Sequence, residues 1–191
     1  MLGNIGQDDP WQTLIATILS ARSRDETTEI VARELFIHFP DCASLAKARV
    51  ARIEKLVKKT GFYKTKARRI IQVSKILMER YGGQVPMEME RLLELPGVGR
   101  KTASCVLVYA FGKAAIPVDT HVHRISNRLG WVRTNTPEKT EAALRQGIAE
   151  KDWIVINDLL VFHGKNICKP IRPLCSVCSI EKYCAKIISL R

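Results

Sequence analysis

The sequence predicts an all-α protein. Apolar residues recur at helical spacing through most of the 191-residue chain, and no segment alternates apolar with polar residues as a half-buried strand would. Glycine, proline and aspartate fall between the periodic segments, where they stop one helix and start the next.

The first element follows a short polar lead, Met1 to Pro10. From Trp11 to Arg22, residues Trp11, Leu14, Ile15, Ile18 and Leu19 form one stripe. Asp25 reads as the N-cap of a second helix running to about Phe39, with Ile30, Val31, Leu35 and Phe36 facing inward. Pro40-Asp41 ends it. Short helices are expected near Cys42–Ala46 and Val50–Lys59. The turn Thr60-Gly61-Phe62-Tyr63-Lys64-Thr65-Lys66 then sets two aromatics beside a glycine and lysines. A long helix to about Tyr81 carries Ile70, Ile71, Val73, Ile76 and Leu77, and Gly82-Gly83 closes it. Pro86 is expected to open a helix holding Leu92, Leu93 and Leu95, and Lys101 to Phe111 forms the next. Three further helices are expected, from Asp119 to Arg128, from Pro137 to Ala149 and from Trp153 to Gly164.

Thirty-one Lys and Arg against nineteen Asp and Glu leave a net charge of +12. Nucleic acid is the partner such a balance favours, because neutralising phosphates releases counterions. A solvated basic surface would carry the same charge without a partner. The longest apolar run, Cys105 to Phe111, is far too short to span a bilayer, and no basic-then-apolar leader opens the chain. These features read as a soluble, intracellular protein with no membrane partner. A monomer is expected, because no apolar surface stripe is left unexplained.

Two stretches carry the candidate chemistry. Leu95-Pro96-Gly97-Val98-Gly99-Arg100-Lys101-Thr102-Ala103 reads as a glycine hairpin opening a helix. Gly97 and Gly99 permit backbone geometry that other residues resist, and Val98 packs the turn shut. The N–H groups at the start of that helix would face a phosphate oxygen. Taken alone, such a hairpin is also a plain DNA clip, and its lysine another phosphate contact. Val118-Asp119-Thr120-His121 follows, with Asp119 eighteen positions after Lys101. A short carboxylate there caps a helix and can also face a reacting sugar. Lys101 and Asp119 therefore read as amine nucleophile and carboxylate.

Six cysteines are present, and four fall within seventeen residues as Cys168-x6-Cys175-x2-Cys178-x5-Cys184. Four thiolates in a compact loop hold either a 4Fe–4S cluster or a tetrahedral zinc. A single Cys-x2-Cys knuckle favours iron–sulfur, since structural zinc sites tend to use two. Disulfides fit an intracellular chain less well. The intervening prolines stiffen the loop, and Lys169 and Arg172 are expected to project from it, either as phosphate contacts or as plain solvated charges. Cys42 and Cys105, among small and apolar residues, read as structural.

These pieces together resemble the endonuclease III family of helix–hairpin–helix DNA glycosylases. The matching stretches are Leu14–Asp25 (LIATILSARSRD), Gly61–Lys66 (GFYKTK), Leu95–Ala103 (LPGVGRKTA), Val118–His121 (VDTH), His163-Gly164 and the four-cysteine loop. They occur in order across nearly the whole chain. The resemblance implies a helix–hairpin–helix glycosylase fold of two helical lobes, 11–113 with the hairpin and 114–191 around a 4Fe–4S cluster. The lead 1–10 would pack on the second lobe. It implies a bifunctional glycosylase and abasic-site lyase of base excision repair, acting on oxidised pyrimidines such as thymine glycol. Lys101 would be the nucleophile and Asp119 the essential carboxylate. Duplex DNA would lie across the cleft, touching Arg22, Phe62, Tyr63, Lys64, Gly97, Gly99, Arg100, Lys169 and Arg172. Phe62 or Tyr63 would fill the gap left by the extruded nucleotide, with Arg22 inserting from the opposite side. A cytoplasmic, nucleoid-associated location in a prokaryotic cell follows. Arg22 departs from the family pattern, which often has glutamine at this orphaned-base position. Related chains also begin with an extra helix, whereas ten residues precede Trp11 here.

Two rivals are a mismatch-type glycosylase and a non-catalytic iron–sulfur DNA-binding module. Mismatch relatives generally carry serine or tyrosine in place of the hairpin lysine. Lys101 and Asp119 together count against the binding module.

Overall fold

The computed structural model describes residues 9–187, which form ten α-helices and short 3-10 turns with no strand among them. The chain divides between Lys113 and Ala114 into two compact units. The lead expected to pack on the second lobe lies, up to Asp8, outside the described residues.

The first unit is built around α1 (Pro10–Ser20). Asp9 caps it by accepting from the Trp11 and Gln12 N–H groups, and Pro10 occupies the first turn. Leu14, Ile15 and Leu19 are fully buried, each worth roughly 1.5–3 kcal/mol over exposure. Thr13, Ala16 and Thr17 are buried too, so α1 is a central helix rather than an amphipathic surface one. It packs against α2 (Asp25–His38), α5 (Tyr63–Tyr81) and α7 (Arg100–Phe111). Trp11 ties it to α5 through an indole hydrogen bond to Ser74 Oγ at 3.2 Å.

Three local expectations need correction. The N-cap of α2 is Arg24, and Asp25 is the first helical residue, where its charge faces the positive end of the helix dipole. Ile30 is 60% exposed, because the buried arc of α2 runs through Thr28, Val31, Ala32 and Leu35 and a neighbour of Val31 is turned 100° away. Pro86 opens no helix. It is buried with Val85 in an irregular segment, and α6 (Met89–Leu93) begins three residues later.

The helices α3 (Cys42–Ala46) and α4 (Val50–Leu56) both pack on α5. Cys42 and Cys105 are buried as expected of structural residues, and burial pushes the Cys42 thiol up. The second unit holds α8 (Thr120–Leu129), α9 (Pro137–Gly147) and α10 (Trp153–Asn166). Its core includes Ile116, Val122, Ile125, Leu144, Trp153 and Leu160, and Cys168 and Cys184 pack against it. The cysteine loop is thus anchored on the hydrophobic core of its own unit.

Candidate active site and cluster loop

The hairpin joins α6 to α7 through Leu95–Gly99. Val98 is buried and donates its N–H to the Leu95 carbonyl at 3.0 Å, closing the turn. Gly97 has φ +82, so the backbone favours glycine; a Cβ there would lie 2.6 Å from Arg69 Cδ, the far end of a flexible side chain that would have to shift. Gly99 differs from expectation: its φ of −98 and ψ of 177 are ordinary extended values, which any residue adopts. Nothing lies within 4 Å of a Cβ built on it. What Gly99 contributes is open space before a helix N-terminus that has no side-chain cap. Lys101 is the second residue of α7 and is half-buried, while Arg100 beside it is exposed.

Asp119 is the N-cap of α8 in the second unit. Its Oδ1 accepts from His121 N–H at 2.8 Å and Val122 N–H at 2.9 Å. Both bonds end on one oxygen, leaving Oδ2 outside the cap. His121 sits one step on, with Nδ1 3.1 Å from Arg124 Nη2.

The turns bearing Arg22 and Phe62 lie side by side, and their side chains stack, so Arg22 and Phe62 do not stand on opposite sides as expected. Arg22 stacks its guanidinium 5.2 Å from the Phe62 ring centroid, and both side chains are exposed. Both residues take left-handed backbone, with φ 54 and 57. Tyr63 is half-buried at the first position of α5, and Lys64 is exposed. Below this pair, a cavity of about 350 Å³ is lined by Ile18, Arg22, Phe62, Lys66, Arg69 and Gly97 among others. Lys66 is 3% exposed, and burial lowers its amine to about 8 from the ordinary 10.5. Arg69 has no signal in the sequence, and Lys66 figures there only as the end of the Gly61–Lys66 stretch, with no role. A lysine in a basic turn carries no mark of where its amine ends.

All four loop cysteines are free and line one small cavity, together with Ile125, Leu129, Ile167, Leu174 and Ile180. Among the described residues, no three His, Cys, Asp or Glu side chains form a group suited to a metal ion. Four thiols around an apolar-walled hollow are a donor set that either a zinc ion or an iron–sulfur cluster uses. His163 lines the same cavity, with Nε2 3.7 Å from Cys178 Sγ, and burial lowers its pKa. Arg128 is buried and holds the loop by donating to the Lys169 and Pro170 carbonyls, both at 2.7 Å. Arg124 donates to the Cys168 carbonyl at 3.0 Å. These two arginines escaped the sequence reading because their partners are backbone carbonyls distant in the chain. Lys169 and Arg172 project from the loop into solvent.

A model of the HhH-GPD superfamily of base excision DNA repair proteins matches residues 15–150. The chain is 51% identical over 181 residues to endonuclease III of Thermotoga maritima, covering 95% of this chain and 85% of that protein. The chain belongs to the endonuclease III family. Among solved structures, a trapped covalent endonuclease III–DNA intermediate with an estranged adenine superposes with a TM-score of 0.88 at 35% identity. That match covers 93% of this chain and 84% of the relative. A thermostable thymine-DNA glycosylase superposes with a TM-score of 0.84 at 27% identity, covering 94% and 84%. The all-α architecture of the described residues is the fold of this family.

Proposed function

We propose that this protein is a bifunctional DNA glycosylase and abasic-site lyase that removes oxidised pyrimidines, such as thymine glycol, from damaged duplex DNA. The observation that carries the reading is 51% identity to an endonuclease III along nearly the full chain. A solved relative trapped covalently on DNA supports a mechanism that passes through a protein–DNA bond.

In this reading the neutral Lys101 amine attacks C1′ of the extruded nucleotide. The C1′–N bond breaks, and the base leaves with the bonding pair and takes up a proton. The sugar ring opens as the nitrogen forms a Schiff base with C1′. Loss of a C2′ proton then expels the 3′ phosphate by β-elimination, cutting the strand 3′ to the lesion. Asp119 stabilises the positive charge that develops on the sugar, and it assists proton removal from Lys101 directly or through water. The uncapped start of α7, with Gly97, Gly99 and Arg100, holds DNA phosphates. Arg22 and Phe62, with Tyr63 and Lys64 beside them, fill and flank the gap left by the extruded nucleotide.

Cys168, Cys175, Cys178 and Cys184 would hold a 4Fe–4S cluster. When bound, it supplies four strong iron–thiolate links that fix the loop's shape. The loop then presents Lys169 and Arg172 to the DNA backbone. We place the protein in a prokaryotic cytoplasm, on the nucleoid, as a monomer.

Borohydride trapping tests the reading, using duplexes that contain thymine glycol, an abasic site or undamaged thymine. A covalent band on both lesions that vanishes in Lys101→Gln is the expected result. Trapping at the abasic site alone would leave a lyase with another base preference. No trapping from cluster-loaded protein would favour the DNA-binding module, and removal of mismatched thymine without trapping would favour the mismatch glycosylase.

A further inference from the structure

The proposed insertion residues sit on two separate turns, and a turn is the least rigid place to hold a wedge. Arg22 follows the C-terminal end of α1, and Phe62 precedes the N-terminus of α5. Each takes a left-handed backbone, which a non-glycine residue keeps only when its surroundings impose it.

The surroundings that impose it converge on one side chain. Lys66 Nζ donates to the Leu19 carbonyl at 2.7 Å and to Ser23 Oγ at 2.8 Å. Leu19 and Ser23 bracket Arg22, so the amine grips the Arg22 turn from both sides. The same Ser23 hydroxyl oxygen accepts from Gly61 N–H at 3.1 Å. A Cβ on Gly61 would stand 2.6 Å from the Arg22 carbonyl oxygen, so the two backbones meet without room for a side chain. Lys66 is also tied to the Phe62 turn along the helix, since its own N–H donates to the Phe62 carbonyl at 3.0 Å. That last bond is one any residue here would make; the side-chain link to the second turn runs from the Lys66 amine through Ser23 Oγ to Gly61.

We propose that Lys66 is a positioning residue: its buried amine, through Leu19 and Ser23, locks the Arg22 and Phe62 turns into one stacked unit that enters the DNA as a preformed wedge. This rests on the glycosylase reading, in which Arg22 and Phe62 fill the gap. The arrangement accounts for a buried lysine with no carboxylate among its hydrogen-bond partners. Its amine spans a helix end, whose last carbonyls lack intrahelical donors, and a neighbouring hydroxyl. Preformed geometry matters most when the nucleotide must be drawn from an intact stack. An abasic residue leaves the helix with little resistance.

That difference supplies the test. Single-turnover rates are measured for Lys66→Met and, as a milder cut that spares the amine, Ser23→Ala. The substrates are duplexes carrying thymine glycol and duplexes carrying a preformed abasic site. Thymine glycol excision is expected to fall about tenfold in Lys66→Met, the loss typical of hydrogen bonds from a charged donor. Elimination at the abasic site is expected to fall less than about threefold. In parallel, 2-aminopurine opposite a reduced abasic analogue reports gap filling with no turnover, and both variants should show a smaller fluorescence change at saturating protein. Equal losses on both substrates, or unchanged fluorescence, would overturn the proposal and make Lys66 a packing residue only. A wild-type protein that excises nothing would instead refute the glycosylase reading. The fluorescence comparison would then still decide the tether.

Discussion

Asp119 is proposed to do two jobs with one side chain, and the structure lets them be separated. As a cap, its Oδ1 accepts two backbone N–H groups at 2.8 and 2.9 Å, which would otherwise be orphaned at the start of α8. Asparagine presents an equivalent carbonyl oxygen and caps about as well, but it carries no charge. Asp119→Ala should therefore cost about 1 kcal/mol, which lowers Tm by about 2–4 °C in a chain of this size. Asp119→Asn should lose only the charge–dipole part, a few tenths of a kcal/mol at a half-exposed site. Activity should not follow that order. Both variants remove the charge that stabilises the developing cation, so both should lose about 10²–10³-fold in single-turnover thymine glycol excision. The measurement pairs thermal melts with excision rates on cluster-loaded protein. An asparagine variant that melts as low as the alanine one would refute the capping argument. An asparagine variant that keeps more than about a tenth of the activity would refute the electrostatic one.

The two hairpin glycines should respond in opposite ways. Gly97→Ala meets a positive φ and the Arg69 side chain, so it should destabilise by about 1–2 kcal/mol in thermal melts. Gly99→Ala has ordinary backbone and open space, so stability should hold within about 0.5 kcal/mol while DNA affinity by anisotropy falls, because the methyl would stand where a phosphate is proposed to approach. Cys178→Ser should abolish visible iron–sulfur charge-transfer absorbance and lower Tm; an unchanged spectrum would remove Cys178 from the ligand set. Lys66 should also leave a pH signature. Its amine titrates at about 8 when folded and near 10.5 when unfolded, so the unfolded chain binds more protons between those values. Its contribution to stability should rise with pH across that window, and the rise should be missing from Lys66→Met in melts from about pH 7 to about pH 10. Arg22 and Arg69 line the same cavity and are common to both proteins. Parallel curves for the two proteins would refute the assignment.

The helices were legible because their signals are local. Periodic apolar residues, Asp119 before an apolar run, and glycines at helix ends act within a few residues, so the chain alone determined the all-α class and most boundaries. The candidate site was nameable for the same reason: the hairpin, the Val118–His121 stretch and the cysteine spacing are each short. Where the reading failed, the deciding information lay elsewhere in the chain. Ile30 and Val31 are adjacent apolar residues, and only the neighbours of α2 choose which of them is covered. Pro86 looks like a helix opener until Val85 and Pro86 are both found buried in an irregular segment. Gly99 resembles Gly97 on paper, and the difference is a φ value.

The long-range polar contacts were wholly tertiary decisions. Arg128 holds the carbonyls of Lys169 and Pro170, and Lys66 holds the carbonyl of Leu19. Every residue carries a carbonyl, so no residue type announces the partner. A lysine or arginine in a basic sequence is indistinguishable from its solvated neighbours until the fold sets a backbone acceptor within reach and withdraws the water. Local chemistry thus determined which residues could act. Only packing decided which long, charged side chains were withdrawn from solvent to hold them in place.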